Sequence, residues 1–318
     1  RPTGKFPSYI NFSHIGVPKK RKSPAPMETV KRKAVKNLVS NLASVSEQTR
    51  TAALCEIRIL SKDDPESREL IVEAHAVPLI AEALYSPAAI VQENAAATLL
   101  NLSISTKENL TFISHGVLDA LSHALRNPSS PSAAQCAAAA IFSLLRSESL
   151  RPIIGDKRDI IFGLVEIVRS PRSAARSIKD SLRALFGIAL CPMNRAQMIE
   201  LGAPEALLTL AANESRPGLI EDATAVLAQM AGCDESWEGF KRGSGAEILM
   251  DLLDGCGGRR MKENCVSGLL SLVQFGGDEA AEYLKRRKKL DGIVDIAENG
   301  TDKGKSKAME LLKLLHHQ

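Results

Sequence analysis

The chain has 318 residues, 44% hydrophobic, 25% charged and only 4% aromatic, with a formal net charge of +4. So few aromatics leave the core to Leu, Ile, Val and Ala, which argues against a strand-rich fold and for helices. The apolar fraction excludes disorder throughout, and no run of about 18 uncharged apolar residues is present to cross a membrane.

Residues 1–29 read as a basic, Pro-containing tail or linker with weak periodicity. The charge is uneven: residues 1–36 carry ten Lys/Arg and one acid, Glu28, whereas the remainder carries 31 basic and 36 acidic side chains. A basic arm thus precedes a mildly acidic body. Within it, Val17–Pro24 reads VPKKRKSP. Four consecutive cations after a proline, Lys19, Lys20, Arg21 and Lys22, suit a nuclear-import signal read by an import receptor, with Lys31, Arg32 and Lys33 as a second cluster. An ordinary basic linker is the competing reading. Phe6, Tyr9 and Phe12 recur every third residue and are expected either to dock on the first structural unit or to form a partner motif. The basic tail could also fold back on the acidic body and occlude it. The chain opens at Arg1 rather than Met, as a fragment would.

From residue 30 to residue 318 one pattern recurs. A short apolar helix ends in a Leu-like residue, a turn follows, often with Pro, and then a longer Ala/Leu helix runs on. The helix-end anchors are Leu42, Leu84, Leu125, Val168, Ala211, Leu253 and Ala297. They are spaced by about 41–44 residues, the period of armadillo and HEAT arrays. The long segments are helical in composition: ENAAATLLNLS in the second unit, AAQCAAAAIFSLL in the third. Such helices are apolar on most sides and need cover from neighbours on both flanks. Pro87, Pro128, Pro131, Pro171 and Pro217 fall before long helices, where proline suits a first turn. Gly116, Gly202 and Gly245, with His75 in the same slot earlier, are expected to carry left-handed helix ends.

The second unit carries a family pattern at Pro78, Leu84, Gln92, Glu93, Asn94, Ala95, Ala96, Leu99, Asn101, Leu102 and Ser103. These residues resemble the armadillo repeats of plant U-box ubiquitin ligases, over about residues 30–318. The resemblance implies an all-α, right-handed armadillo superhelix, an α-solenoid of about seven repeats. In that family a U-box binds the ubiquitin-loaded E2 and the array recruits substrates or partners. This chain contains no U-box, so the resemblance implies the recognition half of such a ligase, or a ligase-independent adaptor in nuclear or signalling complexes. The expected location is cytoplasm, nucleus or both.

The resemblance also places the partner groove on the long helices. The aligned ladder runs through Arg58, Asn101, Ser143, Gly187, Gln229, Ser271 and Lys313, with Leu54, Ala97, Ala139, Arg183, Ala225, Ser267 and Met309 one turn earlier. Nuclear-import adaptors of this fold use repeated Trp and Asn there. This chain has a single Trp, Trp237, off the ladder, and only Asn101 of the Asn row. Arg176, Lys179 and Arg183 fall at i, i+3 and i+7, so they share one helix face. Arg172 precedes them. That set suits an acidic or phosphorylated protein segment. The competing reading is a solvated face neutralised locally, for example through Asp180.

No catalytic, metal or cofactor site is expected. GTDKGKSK at Gly300–Lys307 lacks the P-loop's first glycine and its preceding strand. His115 and His123 have no Cys or carboxylate at ligand spacing, and the six cysteines form no CxxC. Reduced thiols are expected. Nucleic acid is not an expected partner.

Overall fold

Helix follows helix from Pro26 to His316, and no strand occurs among the described residues. The computed structural model describes residues 26–105, 113–114, 116–255, 257–287 and 290–316. The Lys19–Lys22 cluster and Phe6, Tyr9 and Phe12 lie outside them.

The first unit is α1 (Pro26–Leu42) and α2 (Glu47–Asp63). The second is α3 (Pro65–Glu73), α4 (Val77–Glu82) and α5 (Ala89–Ser105). The third holds α6 (Val117–Arg126) and α7 (Pro131–Leu144). The fourth has α8 (Arg151–Gly155), α9 (Arg158–Arg169) and α10 (Ala175–Ala189). The fifth has α11 (Arg195–Glu200), α12 (Ala203–Asn213) and α13 (Pro217–Met230). In the sixth, α14 (Ser236–Arg242) and α15 (Gly245–Asp254) lead to α16 (Arg259–Arg286). The last is kinked at Gly277 (φ 58°, ψ −145°), and its second half opens the seventh unit, completed by α17 (Asp291–Asn299) and α18 (Asp302–His316). Every anchor expected from the sequence sits at or near the end of the helix that precedes a long helix, Leu84 in the 3-10 turn that follows α4, and all but Ala297 are buried.

Local chemistry explains the boundaries. Ser46, Asp64 and Ser130 cap α2, α3 and α7 by accepting from the backbone N–H of Thr49, Glu66 and Ala133. Each such cap contributes about 0.5–2 kcal/mol. Pro131 and Pro217 occupy the first turns of α7 and α13. His75, Gly116 and Gly202 take the expected positive φ. Unit six differs: Ser244, not Gly245, is left-handed (φ 51°), and Gly245 opens α15. Gly245 answers a spatial demand instead, since a Cβ there would meet Phe240 Cδ1 at 2.8 Å and Leu208 Cδ1 at 3.0 Å.

One continuous core runs from Val35 to Leu315. Ala95, Ala96, Leu99 and Leu102 of α5 are wholly enclosed because α2 and α7 cover opposite flanks. Among the described aromatics only Trp237 and Phe240 are fully buried, so Ala and branched aliphatics carry the packing.

Helix α1 begins at Pro26, a few residues inside the stretch read as tail. It is tied to the second unit by charge. Lys31 Nζ lies 2.7 Å from Asp64 and 2.6 Å from Glu66, while Arg32 reaches Glu73 at 2.7 Å and Glu28 at 3.3 Å. The Lys31 ammonium, then the Ser67 hydroxyl, hold the Asp64 carboxyl down at about 2. Lys31 and Arg32 are therefore committed to helix docking and are not a free basic arm, contrary to the sequence reading.

Candidate partner-binding groove

The long helices stack side by side in the order α2, α5, α7, α10, α13, α16, α18. The first and second helices of each unit cover one side of this stack. The other side is a continuous face laced by polar links between neighbouring units. Arg58 Nη1 donates to Asn94 Oδ1 at 2.7 Å, and Asn101 Nδ2 donates to Ser61 Oγ at 3.1 Å. Gln135 Nε2 donates to Asp180 Oδ2 at 3.3 Å. Asn264 Nδ2 donates to Thr224 Oγ1 at 3.3 Å, Lys307 Nζ to Ser267 Oγ at 2.7 Å, and Gln274 Nε2 to Glu310 Oε1 at 2.9 Å.

The expected ladder divides in two. Arg58 and Lys313 are exposed, and Asn101, Gln229 and Ser271 are half-buried on this face. Ser143 and Gly187 are instead buried. A Cβ at Gly187 would sit 2.9 Å from Leu145 Cβ, so this position closes against the preceding unit and presents nothing to a partner. Leu54 and Ala97, in the row one turn earlier, are also enclosed.

Arg176, Lys179 and Arg183 are exposed along one face of α10. Among the described residues none of the three forms an ion pair. The carboxylate expected to neutralise them, Asp180, is turned toward Gln135 of the preceding unit. The Arg183 guanidinium lies 5.8 Å from the Phe142 ring centre, also one unit away. The thiol of Cys136 reports how these groups converge. Burial pushes it up, and the charges acting on it come from Arg58, Glu93, Arg176 and Asp180, which belong to units one, two and four. Elsewhere, neighbouring units pair their charges: Arg158 with Glu200, Lys157 with Asp119, Lys241 with Glu279, Arg287 with Glu247.

Sequence reasoning missed two buried amides. Gln92 Nε2 donates to Leu84 O at 2.8 Å and to Asn127 O at 3.2 Å, while its Oε1 accepts from Ser129 N and Oγ at 2.7 Å. Asn194 Nδ2 donates to Arg151 O and Ile188 O, both at 2.9 Å. Gln92 satisfies turn backbone inside units two and three, and Asn194 satisfies helix carbonyls of unit four. Their signal in the sequence is an amide beside an apolar run, which also fits an exposed position.

Burial pushes the Cys233 thiol up to about 11 and Cys265 up to about 12, so neither is a ready thiolate. Among the described residues no cluster of three or more His, Cys, Asp or Glu is placed to hold a metal. No helix among them is long and apolar enough to cross a membrane.

Comparison with known proteins agrees with this architecture. U-box domain-containing protein 19 of Arabidopsis thaliana is 30% identical over 285 residues, covering 88% of this chain and 42% of its own length. The chain spans about two fifths of the length of this and the next two Arabidopsis U-box relatives. A solved engineered protein superimposes with a TM-score of 0.75 at 22% identity, covering 92% of this chain and 71% of its own. A designed armadillo repeat protein in complex with the peptide (KR)4 has a TM-score of 0.50 at 16% identity, covering 89% and 99%. Residues 34–318 match the plant U-box protein ARM repeat region. With seven stacked long helices and that match over nearly its whole length, the chain belongs to the armadillo-repeat family of plant U-box proteins.

Proposed function

We propose that this chain is the partner-recognition region of a U-box-type ubiquitin ligase. It holds a protein substrate or signalling partner along the long-helix face and performs no chemistry itself. The observation that carries this reading is the set Arg176, Lys179 and Arg183, exposed on that face and without ion pairs among the described residues, in a member of the U-box armadillo family. Arg58, Asn101, Gln229 and Lys313 extend the contact surface along the array. A similarly folded designed protein holds a basic peptide. The opposite charge on α10 favours an acidic or phosphorylated segment here.

The test is proximity labelling in plant cells, using the chain joined to an upstream U-box, with and without R176E/K179E/R183E. Proteins labelled by the wild type should drop out with the reversed variant, and should be ubiquitylated when the U-box is present. An unchanged labelled set would refute the α10 surface. Labelling without ubiquitylation would refute the ligase role in favour of an adaptor.

A further inference from the structure

The chemistry of the partner segment follows from how the α10 cations are laid out; this rests on the long-helix face being the partner surface. Arg176 and Arg183 are seven residues apart, so their Cα atoms lie about 10 Å apart along the helix axis. The cations therefore straddle the width of the face. An extended segment crossing the stacked helices at right angles presents successive side chains to opposite sides. One side chain then points to the first half of α10, toward Arg176 and Lys179. The next points to the second half, toward Arg183. A single acid satisfies only one half, whereas two adjacent acids satisfy both. Asp180, between the halves, is held toward Gln135 at 3.3 Å.

The neighbouring rungs limit the acidic run. Unit three offers neutral Gln135 and Ala139 at the aligned positions. Unit five replaces Lys179 and Asp180 by Glu221 and Asp222, and Arg183 by Ala225. Glu221 is 3.5 Å from Arg260, which offsets part of its charge, but Asp222 has no ion pair among the described residues. Packed helices are about 8–10 Å apart, so a third or fourth consecutive acid running toward unit five approaches like charge within a Debye length. The same repulsion opposes a nucleic-acid backbone, whose charge repeats without interruption.

We propose that Arg176, Lys179 and Arg183 receive two adjacent acidic residues of an extended protein segment, and that Glu221 and Asp222 end the acidic run at that pair.

The test is fluorescence polarisation of the full chain with fluorescein-labelled peptides of about twelve residues in low salt. The peptides have Gly/Ser flanks and a central single Asp, an Asp-Glu pair or a run of six acids. A poly(dT) oligonucleotide is the fourth probe. The pair should bind roughly five- to ten-fold more tightly than the single acid, and the run no more tightly than the pair. R176Q/K179Q/R183Q, which removes three exposed charges and the Arg183 contact with the Phe142 ring, should erase the advantage of the pair, with an unchanged helical circular dichroism spectrum showing that the fold is kept. E221Q/D222N should let the run overtake the pair. The proposal is overturned if the pair and the single acid bind alike, if the neutralised chain keeps the preference, or if the run or poly(dT) binds the wild type best. Loss of the peptide preference alongside intact, α10-dependent partner labelling would remove this inference and leave the recognition role standing.

Discussion

Gln135 of α7 and Asp180 of α10 meet across a unit boundary, with Nε2 and Oδ2 3.3 Å apart. The contact turns a carboxylate away from the three cations that share its helix. Removing that charge without removing the contact, as in Asp180→Asn, should tighten binding of the acidic-pair peptide roughly two- to four-fold. Gln135→Ala frees Asp180 to swing back and should weaken it by a similar factor. Polarisation titrations read both; equal affinities in the two variants would contradict this role.

Gly187 is a packing position. A Cβ 2.9 Å from Leu145 Cβ forces backbone to move, because the opposing atom is fixed to the neighbouring helix. Gly187→Val should cost about 1–3 kcal/mol by overpacking. Chemical denaturation should show it as a lower midpoint. If Gly187 were an exposed rung, the midpoint would hardly move.

Gln92 satisfies four turn groups from one buried amide. Gln92→Leu fits the space but strands the Leu84 and Asn127 carbonyls and the Ser129 N–H. Each buried polar group left unpaired costs about 1–3 kcal/mol, so a loss of several kcal/mol is expected in equilibrium unfolding. A cost under about 0.5 kcal/mol would mean that solvent replaces the amide.

The Lys31–Asp64 link gives α1 a pH dependence. The folded Asp64 carboxyl titrates at about 2, below its ordinary value of 3.8. Its contribution is therefore complete above about pH 4 and is lost as pH falls toward 2. Hydrogen exchange of α1 amides should accelerate through that window, and Asp64→Asn should flatten the response. The same pairing separates two basic clusters. Lys31→Ala/Arg32→Ala should loosen α1 and leave nuclear accumulation unchanged, whereas Lys20→Ala/Arg21→Ala should reduce accumulation. Imaging of tagged variants reads this, and equal localisation of both would exclude the Lys19–Lys22 signal.

The unit length, the helix order and the Ala/Leu core were legible in the sequence because a 41–44-residue period survives any change of letters. The left-handed ends at His75, Gly116 and Gly202 were legible because turn chemistry is local. Depth was harder to read. Ser143 and Gly187 align with Asn101, yet small side chains at those positions let adjacent helices close over them, and closeness between helices has no local signature. The pairing of Lys31 with Asp64 and of Arg32 with Glu73 was hidden for the same reason. These partners lie more than 30 residues apart and meet only once α1 and α3 are docked.

Among the described residues, the core from Val35 to Leu315 is assembled chiefly from contacts within a unit or between adjacent units. Such a molecule behaves as a row of coupled springs. Strain applied at one end is shared by small rotations at every junction, with no single hinge to absorb it. The long-helix face can therefore lengthen or tighten its pitch to follow a bound segment, and an occupied face resists stretching more than an empty one.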